Sequence, residues 1–149
     1  MSHTILLVDD NEDDIYALKR ALKKAGITNP LQVVMDGQKA VDYLTGDGPF
    51  ADRAQYPLPF LIFLDLKLPF RSGFEVLTWM RQQSAFNDIV VVILSGSDET
   101  KDHQQAYALG ARSYLVKPPS SSDILQLMES LQSYWSRHNE TGPVQSQSA

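Results

Sequence analysis

Asp9-Asp10, Asp65, Ser95 and Lys117 lie far apart in the chain but share a position: each follows directly on an apolar run of strand length. Ile5–Val8 leads into Asp9-Asp10, Phe60–Leu64 into Asp65, Ile89–Leu94 into Ser95, and Ser113–Val116 into Lys117. If these runs lie side by side, the carboxylates, the hydroxyl and the ammonium converge. Carboxylates within about 4–6 Å of one another raise each other's pKa values, so such a group needs a cation to stay ionised. Mg²⁺ suits it, since that ion takes oxygen ligands in an octahedron and is commonly held by one or two carboxylates plus a phosphate. An aspartate is already ionised at neutral pH and can accept a phosphoryl group as an acyl phosphate. Asp65 is the expected acceptor: it sits on a different strand from the Asp9-Asp10 pair, and Pro69 and Gly73 stop its loop from continuing as strand or helix. Lys117 would neutralise a phosphoryl oxygen opposite the metal, and Ser95 would donate to another.

The elements that must position these groups are legible as periodicity. A further apolar run, Leu31–Met35, joins the four above, and helix-period segments fall between the runs. From Asp13 to Ala25, Ile15, Leu18 and Leu22 recur at spacings of three and four, with acids in the first turn, lysines in the last and Gly26 as the stop. Ile124, Leu127, Met128, Leu131, Tyr134 and Trp135 repeat the spacing behind Ser120-Ser121-Ser122, which predicts a last helix packed on the sheet. Continuous apolar strands alternating with helices imply a parallel sheet covered on both faces. The expected fold class is therefore α/β, a small doubly wound five-stranded sheet with ligands outside the carboxyl ends of its strands. Thr45–Pro59, rich in Gly, Pro and Asp, reads as a surface insertion. Residues 1–137 are expected to form one domain and 138–149, which lack apolar periodicity, a flexible tail.

Charge and composition exclude other classes. Eighteen acidic against thirteen basic residues give a net charge of -5, which offers no basic footprint for nucleic acid or an anionic membrane. Cysteine is absent, so disulfides and thiolate metal sites are excluded, and a reducing compartment fits. The apolar runs are too short to span a bilayer, and the expected location is the cytoplasm.

Quoted in order, "LLVDDNEDD", "IFLDLKLPFRSGFEVL", "VVVILSGSD" and "GARSYLVKPP" resemble the receiver domains of two-component response regulators over roughly residues 4–136. The resemblance implies a flavodoxin-like (βα)5 sheet of order 2-1-3-4-5. It also implies Asp65 as phosphoacceptor, Asp10 as direct Mg²⁺ ligand, Asp9 as a ligand through water, and Lys67 as donor of a backbone carbonyl to the metal. Ser95 and Lys117 match the phosphate-sensing hydroxyl and the lysine of that pattern, and Tyr114 matches the aromatic that changes rotamer on activation. The Lys117–Pro118 bond is expected to be cis by the same analogy. The "VDDNEDD" opening, the passage "GDGPFADRAQYPLPFLIFLDLKLP" and a closing "SYW" resemble stand-alone receivers associated with phytochromes. They imply a sensor histidine kinase as partner, with phytochrome-type kinases among the candidates, and homodimerisation through the last helix at Tyr134-Trp135. The stretch after Arg137 is too short for a DNA-binding module, so output is expected through protein contact or phosphorelay.

Plainer readings compete. Asn11 is expected to cap the first helix, with Glu12, Asp13 and Asp14 serving only its dipole. Lys67 stands where the family often has Asn or Met, and its ammonium can pair with the acidic cluster before phosphorylation. His3, His103 and His138 have no ligand spacing and read as solvated or incidental, and no zinc is expected. Trp79 reads as helix packing. A small-molecule phosphatase with an aspartate nucleophile would usually carry a second Asp two residues on, where this chain has Lys67. A dock that works without phosphorylation would have no use for the full set Asp9, Asp10, Asp65, Ser95 and Lys117.

Overall fold

The apolar runs pair in register, which brings their ends level. In the computed structural model, which describes residues 3–138 and the side chains of residues 3–132, the strands are β1 Ile5–Val8, β2 Leu31–Val34, β3 Leu61–Leu64, β4 Val90–Ser95 and β5 Ser113–Val116. They form a parallel sheet of order β2-β1-β3-β4-β5, with Val8 opposite both Val34 and Leu64, Leu64 opposite Ile93, and Ser95 opposite Val116. Five helices cover it: α1 Glu12–Lys24, α2 Gly37–Thr45, α3 Gly73–Arg81, α4 Thr100–Ala108 and α5 Ser121–His138. The expected tail thus lies outside the described residues apart from His138, which ends α5.

Strand alternation divides the core between the two faces. Leu6, Val8, Ile62, Leu64, Val91 and Ile93 pack with the inner faces of α2, α3 and α4. Ile5, Leu7, Leu61, Phe63, Val90 and Val92 pack with Ile15, Leu18 and Leu22 of α1 and Ile124, Leu127 and Leu131 of α5. Nearly all these strand side chains are fully buried, each worth about 1.5–3 kcal/mol relative to exposure. No helix among the described residues is long and apolar enough to cross a membrane.

Side chains start the helices. Asn11 Oδ1 accepts from Asp14 N at 3.0 Å, Ser72 and Glu75 form a capping box on α3, and Ser120 and Asp123 exchange two 3.0 Å bonds at the start of α5. The segment read as a surface insertion is tied down. Arg53 donates to the carbonyls of Tyr43, Leu44 and Tyr56 at 2.7–3.1 Å, and Tyr43, Phe50 and Tyr56 pack ring against ring. The guanidinium thereby adds donors to carbonyls in the last turn of α2.

Candidate functional site

The ladder runs one residue beyond each strand and so sets the backbone of the site. Asp9 N donates to Val34 O at 3.1 Å, Asp65 N to Val8 O at 3.0 Å and Lys117 N to Ser95 O at 2.8 Å. These bonds fix the residues that follow the strands on one edge of the sheet, outside its carboxyl ends, where open α/β sheets gather ligands. Asp9, Asp65 and Ser95 are buried there, at 0%, 7% and 2% exposure.

Lys117 Nζ is the hub. It lies 2.8 Å from Asp9 Oδ2, 3.0 Å from Asp65 Oδ2 and 2.9 Å from Asp14 Oδ2. The contacts with Asp65 and Asp14 are directed hydrogen bonds. Asp9 Oδ2 is off the hydrogen-bonding direction and is held by charge alone, a buried oxygen without a donor. Its other oxygen accepts from Asn11 N at 3.0 Å. Burial by itself would lower the Lys117 pKa, but the contacts with Asp9, Asp14 and Asp65 more than reverse this and hold the amine protonated. Burial pushes the Asp65 carboxyl above its ordinary value, against the pull of the Lys117 hydrogen bond and charge.

Asp9, Asp10 and Asp65 offer carboxylate oxygens that all lie within 4.8 Å of one another. Asp9 and Asp65 are buried, and Asp10 is exposed. The donor set is all oxygen and carries more negative charge than one ammonium offsets, and Asp9 Oδ2 still lacks a donor. These residues fit a hard divalent cation of the size of Mg²⁺ or Mn²⁺.

Ser95 lines the same cleft, about 970 Å³ in volume, with Asp14, Asp65, Lys67 and Lys117. Its hydroxyl accepts from Ser97 N at 3.2 Å. Lys67 is exposed, and it is its backbone N–H that reaches Asp65 Oδ1, at 3.3 Å. Lys117 is therefore the ammonium inside the cluster. The Lys117–Pro118 peptide is cis, as expected. Tyr114 is buried at 8%, and its hydroxyl donates to Ser97 O at 2.9 Å, which links β5 to the loop that follows Ser95.

Two residues depart from the sequence reading. Asp14 begins α1 as expected, but its carboxylate also turns into the cleft. His103 is not an incidental surface residue: its ring stacks on Tyr114 with centroids 3.7 Å apart and planes 17° from parallel. No ligand spacing announced it. Trp79, expected as helix packing, lies against Phe86 at 5.5 Å. Tyr134 and Trp135, expected as an interface, lie beyond the described side chains.

Residues 5–129 match the response regulator receiver domain. The response regulator Rcp1 of Synechocystis is 33% identical over 131 residues, 88% of this chain and 87% of its own length. Its Mn(2+)-bound crystal structure aligns with a TM-score of 0.72 at 31% identity, covering 93% of this chain and 98% of that one. The response regulator RPA3017, from red light signaling of R. palustris, aligns with a TM-score of 0.78 at 33% identity, over 93% and 97% of the two chains. The phosphorylated cyanobacterial phytochrome response regulator RcpA aligns with a TM-score of 0.74 at 31% identity, over 93% and 97%. The acidic cluster facing a lysine across the carboxyl edge of a 2-1-3-4-5 sheet therefore has a family to which it belongs: this chain is a receiver domain of the two-component response regulators, a signalling protein with phytochrome-associated regulators among its relatives.

Proposed function

We propose that the protein accepts a phosphoryl group on Asp65 from the histidine of a sensor kinase, in a reaction that depends on a divalent cation. The observation that carries this reading is the placement of Lys117 Nζ, 3.0 Å from Asp65 Oδ2 and 2.8 Å from Asp9 Oδ2 on the carboxylate-rich edge. A bound Mg²⁺, held by Asp10 and Asp65, by Asp9 through water and by the Lys67 carbonyl, would supply positive charge to the phosphoryl oxygens. An Asp65 oxygen forms its bond to phosphorus as the P–N bond to the donor imidazole breaks, and the nitrogen keeps the electron pair. Lys117 then passes from the Asp65 carboxylate to a phosphoryl oxygen, and the Ser95 hydroxyl turns from accepting to donating.

Movement of Ser95 is relayed through the Ser97 carbonyl to Tyr114, which links the chemistry to a readout surface on α4, β5 and α5. The relatives support a phytochrome-type kinase as donor, and the acidic charge supports output through protein contact or phosphorelay in the cytoplasm. Homodimerisation through α5 belongs to the same reading, as does the extent of the receiver, residues 1–137, followed by a tail. Incubation with Mg²⁺ and acetyl phosphate, followed by intact-mass measurement, tests the acceptor. One phosphate is expected on the wild type and none on Asp65→Asn. A wild type that gains nothing, or an Asp65→Asn variant labelled as well as the wild type, overturns the assignment.

A further inference from the structure

Lys117 has a partner that phosphoryl transfer does not call for. Asp14 Oδ2 lies 2.9 Å from Nζ, and it comes from the first turn of α1, three residues past the cap Asn11. Its side chain is 36% accessible, against 0% for Asp9 and 9% for Asp65, so Asp14 forms the outer rim of the cluster. It also lines the cleft through which a donor must come. Asp13, its neighbour in the same acidic turn, is exposed, and the ion pairs of Lys117 are with Asp9, Asp14 and Asp65. Start of the helix does not explain the contact, because Asp14 meets the Asn11 cap through its backbone N–H.

We infer that Asp14 is a positioning residue, which tethers the Lys117 ammonium to α1 and competes for it with the incoming phosphoryl group. An ammonium has three N–H donors; Asp14 and Asp65 each accept one here, and the charge of Asp9 lies 2.8 Å from Nζ. A phosphoryl oxygen arriving at Asp65 must draw the ammonium away from these carboxylates. Asp9 is sealed in the core and Asp65 is the acceptor, which leaves the rim residue Asp14 as the partner that yields. Its charge also opposes the approach of a dianionic donor. The inference rests on the reading of Asp65 as phosphoacceptor.

The test compares phosphorylation rates with acetyl phosphate and Mg²⁺ for wild type, Asp14→Asn, Asp14→Glu and Asp13→Asn. In each, the Asp65–phosphorus bond forms as the P–O bond to acetate breaks, with acetate keeping the electron pair. Asp14→Asn is expected to label about two- to fivefold faster, the range of a partly exposed ion pair, with the gain fading as salt is added. Asp14→Glu should return to the wild-type rate. Asp13→Asn makes the same change of net charge one residue away and should leave the rate unaltered. The ¹⁵N resonance of Lys117 Nζ in the unphosphorylated protein should shift in Asp14→Asn and stay in place in Asp13→Asn. An unchanged or slower rate for Asp14→Asn, equal acceleration by Asp13→Asn, or an unshifted Nζ resonance overturns the inference. If the wild type itself takes no phosphate, the acceptor reading falls, while the Nζ resonance still decides the tether.

Discussion

At Asp65, the proposed acceptor, the carboxylate sits where burial disfavours its charge, and stability should record this. Burial raises its folded pKa, and the Lys117 hydrogen bond and charge offset the effect only in part. A carboxyl raised in the folded state contributes its full stability below the ordinary aspartate pKa of about 3.9, and loses it as pH rises through the raised value. Metal-free Asp65→Asn should therefore unfold at a higher temperature than wild type at neutral pH, by about 2–4 °C for each kcal/mol recovered. The gap should close as pH falls through the ordinary aspartate range. Thermal unfolding followed by circular dichroism at several pH values checks this, and a gap that widens towards acid contradicts it. Lys117 does not confound the comparison: its pKa is raised, so its contribution is lost only in strongly alkaline solution. Of the residues at this site, those that end strands were readable, because strand ends show in the hydrophobic pattern. Asp14 was assigned to its helix alone and His103 to solvent, because a contact between α1 and the residue that follows β5, or a ring stacked on Tyr114, leaves no trace in local spacing.

The element that constrains the site most is the start of α3. Gly73 N donates to Leu66 O at 2.9 Å, and a Cβ at Gly73 would run into the Asp65 carbonyl and the Leu66 Cα. Replacing glycine by alanine at an unstrained helical position normally stabilises by about 0.4–1 kcal/mol. Gly73→Ala should instead destabilise by about 1–3 kcal/mol, since the helix must back away from β3 and carry the Asp65 backbone with it. Gly96, where the added Cβ meets nothing within 4 Å, serves as the comparison, and Gly96→Ala should change little. Urea unfolding of both variants measures the difference, and equal midpoints would show that α3 does not press on the site. The bounds of the elements were nearly legible: β2 ends at Val34 rather than Met35, and β3 starts at Leu61 rather than Phe60. Phe60 is fully buried and stands just before the strand, yet its N–H already donates to Thr4 O and its carbonyl accepts from Val90 N, both at 3.1 Å, so the apolar run marked the true start of the hydrogen-bonding. The 45–59 segment is mostly exposed, as read, but its ties to α2 were hidden, because they depend on Arg53, whose partners include the last carbonyls of α2.

For the whole molecule, the acidic cluster exists only when the sheet is assembled, so a cation that binds it must favour folding. At a Mg²⁺ concentration one hundred times its dissociation constant the gain is about 2.7 kcal/mol, or about 5–10 °C in the unfolding midpoint for a chain of this size. Asp10→Asn should remove most of that increment while changing the metal-free midpoint little, because Asp10 is exposed. Differential scanning calorimetry with Mg²⁺ and with chelator measures it, and an equal increment in Asp10→Asn would place the cation elsewhere. The alternation of strand and helix, the α/β class and the strand-end positions of Asp9, Asp10, Asp65, Ser95 and Lys117 were readable along the chain. All of these are local, since burial on two faces demands continuous apolar strands, and their polar successors stand out against them. Order 2-1-3-4-5 and the cis Lys117–Pro118 bond came from family resemblance, and the sheet then bore them out. Which carboxylates share the ammonium of Lys117 becomes visible only in the folded chain. That is settled by distance in space, through register between strands and the reach of Lys117 from the end of β5 to the first turn of α1, and Asp14 and Lys117 are 103 residues apart in the chain.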